Sequence, residues 1–202
     1  MPRAFSSISF SDSVKTAQTR YGSRDQNQRF EYADDPRNTL TEREIRFIES
    51  RDSFYQASVS ETGWPYVQHR GGPAGFLRVL DSHTIGYGDF KGNQQYISTG
   101  NINAHERIAL ILMDYPNRHR LKLWGRARII HETEAPELIA RLKMPDYHAQ
   151  VERGIIIHIE AVDWNCTKHI IPRYTETEVA RIMAPIIEEN RQLREQSGAT
   201  DT

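Results

Sequence analysis

Cysteine is nearly missing from this chain: Cys166 is the only one in 202 residues. An intrachain disulfide is therefore excluded, and a reducing, cytoplasmic setting is expected. No run approaches the ~20 apolar residues of a membrane-spanning helix, so no membrane partner is expected. Charge of one sign is also lacking, with 26 Lys and Arg against 27 Asp and Glu and a net charge of -1. That balance gives no general pull toward nucleic acid or anionic lipid, so an anion site must be a local cluster. Met1 to Ser13 carries one early Arg and no apolar core, which is not the pattern of a secretory leader.

Several signatures are absent as well. No Gly-Lys-Ser/Thr occurs, so there is no Walker loop. Gly86-Tyr87-Gly88 lacks the spacing and the strand-to-helix context of a dinucleotide fingerprint. No Gly-x-Ser-x-Gly is found, which disfavours a serine hydrolase of that type. Cys166 and His169 lie three apart with no second pair to complete a zinc site. No metal is expected, and a lone Cys is ordinarily a packed side chain.

What is present reads as one β-rich domain with peripheral helices. Residues 1–38 are polar and irregular, either an arm over the body or partly disordered. A domain spans 39–175, and a helical extension spans 176–202. Thr41 and Glu44 form a capping box, and Leu40 with Ile45 forms a hydrophobic staple, so a short helix follows. Short segments divided by turns then predict strands at 54–59, 65–70, 75–81, 83–88, 107–114, 119–131 and 154–163. In the longest, Leu121, Leu123, Gly125, Ala127 and Ile129 share one face, while Arg120, Lys122, Trp124, Arg126 and Arg128 share the other. A helical insert is expected at 134–143. A second capping box, Thr175 to Glu178, opens a final helix that Pro185 should kink or divide. The stretch 196–202 is expected to fray.

Three segments carry chemistry. Val67 to Phe76 holds Gln68, His69 and Arg70 before Gly71-Gly72-Pro73. Its glycines permit close approach of backbone to a flat ligand, and Arg70 offers a forked cation to phosphate. A plain hairpin turn with exposed His and Arg suits the same residues. Gly92-Asn93-Gln94-Gln95 through Ser98-Thr99-Gly100-Asn101 is rich in neutral donors, suited to an anion or a polar ring. It equally suits a polar loop with a helix cap at Ser98 or Thr99. Arg120 and Lys122 share a strand face and would converge on a phosphate or a ring, or else form a solvated face.

Taken together, the segments resemble a known family. Gly-Trp-Pro-Tyr-Val-Gln-His-Arg-Gly-Gly-Pro-x-Gly-Phe at 63–76 is followed by Asp-Phe-Lys-Gly-Asn-Gln at 89–94. Ser-Thr-Gly-Asn at 98–101, the apolar strand Ile108 to Met113 and Arg-Leu-Lys-Leu-Trp-Gly from Arg120 complete the order. Trp164-Asn-Cys-Thr-Lys-His169-Ile looks like a later motif of one subgroup. This order resembles the FMN-binding domain of pyridoxamine 5'-phosphate oxidase-related proteins over roughly residues 40–175.

The resemblance implies a mainly β fold, a six-stranded antiparallel split β-barrel with flanking helices, paired as a homodimer with FMN in grooves between subunits. By that likeness Gln68, His69, Arg70, Gly92, Asn93 and Gln94 border the ring and ribityl chain. Ser98, Thr99 and Asn101 face the phosphate. Arg120 and Lys122 reach flavin atoms, and Trp164 to His169 approach from the partner. Where the oxidase has Ser-Arg-Lys, this chain reads Tyr96-Ile97-Ser98, so the phosphate anchor differs and Arg70 is the candidate. The oxidase's C-terminal substrate motif, a Trp followed by Arg-Leu-Pro-x-Arg, has only a faint echo in Ile171-Pro172-Arg173. The expected activity is a flavin oxidoreductase on a small redox substrate other than pyridoxamine phosphate. No residue reads as an obligatory acid–base catalyst; His69 and His169 are candidates against an ordinary hydrogen-bonded or solvent-facing imidazole. The alternatives are a non-catalytic flavin carrier or a barrel that binds haem or a deazaflavin.

Overall fold

The computed structural model describes residues 1–196, which fall into two compact units. One comprises Met1–Met113 and Arg120–Cys166; the other comprises Asp114–His119 and the chain from Thr167 on.

The first unit is built on one sheet. Its strands are β1 (Ser53–Val59), β2 (Pro65–Gly71), β3 (Arg78–Asp81), β4 (Thr84–Phe90), β5 (Arg107–Asp114), β6 (His119–Ile130) and β7 (Val151–Trp164). They run in the order β2-β1-β5-β6-β7-β4-β3. The sheet is open and has seven strands, not the six that the family likeness implied. Seven segments divided by turns are already expected from the residues themselves, so the larger number agrees with that reading. The third strand begins at Arg78 rather than at residue 75, because Gly75 takes φ +81° and Phe76 N–H closes a turn on the Pro73 carbonyl at 2.9 Å.

The 1–38 region is irregular only in part, with its longest stretch without helix or strand at 29–38. It forms α1 (Ala4–Ser9), α2 (Asp12–Arg20) and α3 (Arg24–Gln28). Ser11 caps α2 by accepting from Val14 N–H. Glu31 accepts from Lys15 and Arg24, and Phe5 packs on Phe10, Phe30 and Trp124. The ion pairs thus hold the segment's own helices together, and Phe5 ties it to the sheet at Trp124.

The helix α4 (Glu42–Glu49) starts where its capping box predicts, with Thr41 N–H and hydroxyl both donating to Glu44. Two further helices are α5 (Ile97–Ala104), which lies in the expected donor-rich loop, and α6 (Pro136–Leu142).

On β6 the expected face holds: Leu121, Leu123, Gly125 and Ala127 are buried. They meet Phe54, Phe76, Tyr87, Ile155 and Ile157 in the main core. Full burial of one such large apolar side chain is worth about 1.5–3 kcal/mol. The alternation breaks near the end, where Ile130 rather than Ile129 is buried. There α6 covers the other face, and Ile130 joins Ile139, Leu142 and Ile156 in a second cluster. Gly125 sits at a shift in the β6–β7 register, and a side chain there would collide with the His158 carbonyl oxygen.

The second unit contains the turn between β5 and β6 and α7 (Glu176–Gln196). α7 is one continuous helix through Pro185, so the expected division does not occur. Thr175 and Glu178 form its opening box. Most of the stretch expected to fray lies outside the described residues. Among the described residues no helix is long and apolar enough to cross a membrane.

Candidate functional site

A cleft of about 180 Å³ in the first unit gathers most of the polar motif residues. β2 supplies one wall. Its alternation turns Tyr66, Gln68 and Arg70 into the cleft and leaves Val67 and His69 exposed on the opposite face. The facing wall is the 92–99 stretch. Its sharp reversals use left-handed backbone at Gln94 (φ 60°) and Tyr96 (φ 54°). Asn93 Oδ1 accepts Gln95 N–H at 3.1 Å, an Asx-type turn that fixes the loop. Tyr96 is the N-cap of α5 but makes no side-chain cap. The first amides of α5 therefore end at the cleft without a capping side chain.

The third wall comes from the β4–β7 pairing, which sets Asp89 opposite Arg153. Asp89 lies between two cations. Arg70 donates to its Oδ1 at 2.5 Å and Arg153 to its Oδ2 at 3.0 Å. Arg153 also donates to Thr99 Oγ1 at 3.3 Å and to Glu152 Oε2 at 3.1 Å, under the Tyr96 ring. Tyr96 in turn donates its hydroxyl to Glu152 at 3.1 Å. Two carboxylates thus balance two guanidinium groups, and the surplus is in N–H donors rather than in charge. Arg70 Nε has no acceptor among the described residues.

Behind Arg70 lies the Tyr87 ring, 5.6 Å from the guanidinium. Tyr87 donates to Gln56 Oε1 at 2.8 Å, and burial pushes its phenol well above the ordinary tyrosine range. It stays neutral behind the arginine. Ser98 donates to Gln68 Oε1 at 2.8 Å and ties the start of α5 to β2.

Of the expected site residues, Gln68, Arg70, Gly92, Asn93, Gln94, Ser98 and Thr99 line this cleft. The others are placed elsewhere. His69 sits against Tyr55, with ring centroids 5.5 Å apart. Asn101 is buried and donates to Ser58 Oγ at 3.0 Å, so it pins α5 to β1. Lys122 lies 3.5 Å from Asp163, whose carboxyl is pushed up by burial despite that cation. Arg120 points from the same β6 face, and its Nε has no acceptor among the described residues. Trp164 donates to Glu44 Oε1 at 2.5 Å and packs edge-on against Phe47. His169 belongs to the second unit and has φ 63°. Cys166 is exposed, not packed.

Asp89, Glu152 and Arg153 were not singled out from the sequence. Asp89 lay in plain view within the Asp-Phe-Lys-Gly-Asn-Gln motif. Arg153 has no local signal; only strand pairing brings it to the cleft. A larger open groove of about 950 Å³, lined by Glu61, His105, Arg107 and Arg128 among others, gathers none of the expected residues. Among the described residues no group of three or more His, Cys, Asp or Glu side chains could hold a metal ion.

A family model for pyridoxamine 5'-phosphate oxidase matches residues 40–171. No curated protein matches the chain. Among solved structures, HupZ of group A Streptococcus is 21% identical, covering 67% of this chain and 99% of its own, with a TM-score of 0.48. An F420 reductase is 18% identical over 61% of this chain and 98% of its own, with a TM-score of 0.43. An FMN-binding protein from Syntrophomonas wolfei is 10% identical over 60% of this chain and 86% of its own, with a TM-score of 0.46.

Proposed function

The chain belongs to the pyridoxamine 5'-phosphate oxidase family, and from that membership we propose that it is an FMN-dependent oxidoreductase whose cofactor phosphate is held in the Arg70–Arg153 cleft. One observation carries the reading: two guanidinium groups are preset on a single buried carboxylate, beside uncapped helix amides and a rim of neutral donors. A phosphate needs several donors in a fixed array, and forked guanidinium groups supply them with little further ordering. The residues present fit such a group, since donors outnumber acceptors here.

Bound FMN would supply the redox chemistry. The chain's own part is to bind and to orient. Arg70 and Arg153 hold the anion, and Asp89 keeps both aimed. The Ser98–Gln68 bond fixes the α5 amides, and Asn93 and Gln94 meet the polar parts of the cofactor. The substrate is a small redox molecule; the weak echo of the oxidase's substrate motif argues against pyridoxamine phosphate.

A homodimer in a cytoplasmic setting is part of the same reading. The outer face of β1 and β2 exposes Tyr55, Val59 and Val67, and Trp64 at the turn is 76% exposed. A contiguous apolar face of this kind marks a pairing surface. In this reading Arg120, Lys122, Trp164 and His169 serve the cofactor of a second copy.

The test is to purify the protein, record its visible spectrum and weigh the released chromophore. Flavin bands with the mass of FMN support the proposal. A sharp Soret band would assign haem, and a deazaflavin mass would assign that cofactor. A colourless protein that takes up no added FMN would overturn flavin binding altogether. Anaerobic bleaching of the flavin with catalytic turnover separates an enzyme from a carrier.

A further inference from the structure

The second unit contains a helix with a sorted surface. No residue of α7 is buried. Val179, Ile182, Met183, Ile186, Ile187 and Leu193 are nevertheless gathered on one side, each between 42% and 62% exposed. In heptad terms, Val179, Ile186 and Leu193 occupy d, and Met183 and Asn190 occupy a. Glu189 then falls at g and Arg194 at e. On the far side, Arg191 donates to Glu188 and Glu195 within the helix.

We propose that α7 pairs in parallel with α7 of a second copy of this chain, as a short two-stranded coiled coil. Asn190 interrupts the apolar stripe between Ile186 and Leu193. A lone Asn at an a position costs stability against apolar neighbours unless it meets its own counterpart, as it does in a parallel, in-register pair. Glu189 and Arg194 are five residues apart, the spacing that sets g of one parallel helix beside e of the other. An antiparallel pair would instead set g beside g and e beside e, so Glu189 of one helix would not meet Arg194 of the other.

Pro185 falls at c, on the outer surface, where its missing N–H and its ring do not meet the seam. A lipid surface fits worse, because the helix carries five Glu, three Arg and no Lys, a net charge of −2, where membrane-lying helices are basic. So short a coil is marginal alone. Its pairing gains from the high local concentration created when the first units also pair. The inference therefore rests on the homodimer part of the proposed function and not on the flavin.

Cysteine cross-linking of the full chain tests it. In a Cys166→Ser background, Ile186→Cys and Leu193→Cys place a thiol in the seam, and Glu188→Cys places one outside. Mild oxidation should convert both seam variants to disulfide-linked dimers and leave the Glu188→Cys variant monomeric on a non-reducing gel. Linking at 186 without linking at 193 would show antiparallel or staggered pairing and overturn the proposal. So would equal linking at 186 and 188, or none at 186. Retaining Cys166 and comparing the same three variants gives a second reading that does not depend on the background substitution. The flavin spectrum of each variant reports the cofactor site separately, so a failure of helix pairing is distinguishable from a failure of flavin binding.

Discussion

Arg70 and Asp89 meet at 2.5 Å beneath the cleft, with side chains only 14% and 5% exposed. Such a pair is costly to desolvate and more costly to break, because the survivor is left as an uncompensated buried charge. Here the carboxylate is shared, since Arg153 holds its other oxygen. Asp89 is thus the counter-ion that lets two guanidinium groups coexist at the cleft wall.

Asp89→Asn should therefore destabilise the protein by about 3–5 kcal/mol. It should also make the fold more dependent on an anion. Thermal melts with and without FMN check this: FMN should raise the melting temperature of the variant more than that of the wild type. An equal rise in both would show that the arginines do not meet the phosphate.

Arg153→Ala removes a charge-assisted donor, worth about 1.5–3 kcal/mol. FMN affinity measured by fluorescence quenching should fall roughly tenfold or more. His69→Ala, on the far face of β2, should leave the affinity of a single cleft unchanged. The reverse order of effects would move the site to the other face of the strand.

Glu44 gives a pH dependence. Burial pushes its carboxyl up, but bonds from the Thr41 hydroxyl, the Trp164 indole and nearby backbone outweigh it and hold the carboxyl below its usual value. A group depressed in the folded state adds stability above its unfolded value, and that stability is lost as pH falls through the folded one. Acid melts should show a stability loss below about pH 4.3, the usual Glu value. In Glu44→Gln that part of the loss should vanish, and stability at neutral pH should drop by about 1 kcal/mol, the worth of a cap. An unchanged acid limb would remove Glu44 from this role.

Arg120→Ala tests whether a second copy completes the cofactor site. Arg120 does not line the cleft of its own chain. If it reaches the flavin of the partner, its loss should lower the flavin potential or weaken binding. Spectroelectrochemistry and titration together give the answer, and no change in either would exclude it.

The strands were legible because their alternation is local. β5 was read to the residue, and the buried face of β6 was correct until α6 covered the other side. The start of α4 was legible for the same reason, through Thr41 and Glu44 three apart. The first three helices were not, since their polar residues mask the few contacts that hold them. α5 was hidden by Ser98, Gly100, Asn101 and Asn103, all poor helix formers. Its helix is fixed instead by a contact from Asn101 to Ser58, 43 positions away. The cleft was half legible. Its β2 and loop walls lie in motifs, whereas Arg153 meets Asp89 across 64 positions through strand pairing alone.

β2 is an edge strand whose two sides do different work, and its hold on β1 runs unbroken from Ser53↔Gly71 to Val59↔Pro65. A slip of one position would invert it. Val67 and His69 would then swing inward and Arg70 outward, erasing the anion cradle and the outer apolar surface in a single error. Misfolded chains of that kind would lose the proposed ligand retention and the proposed self-association together.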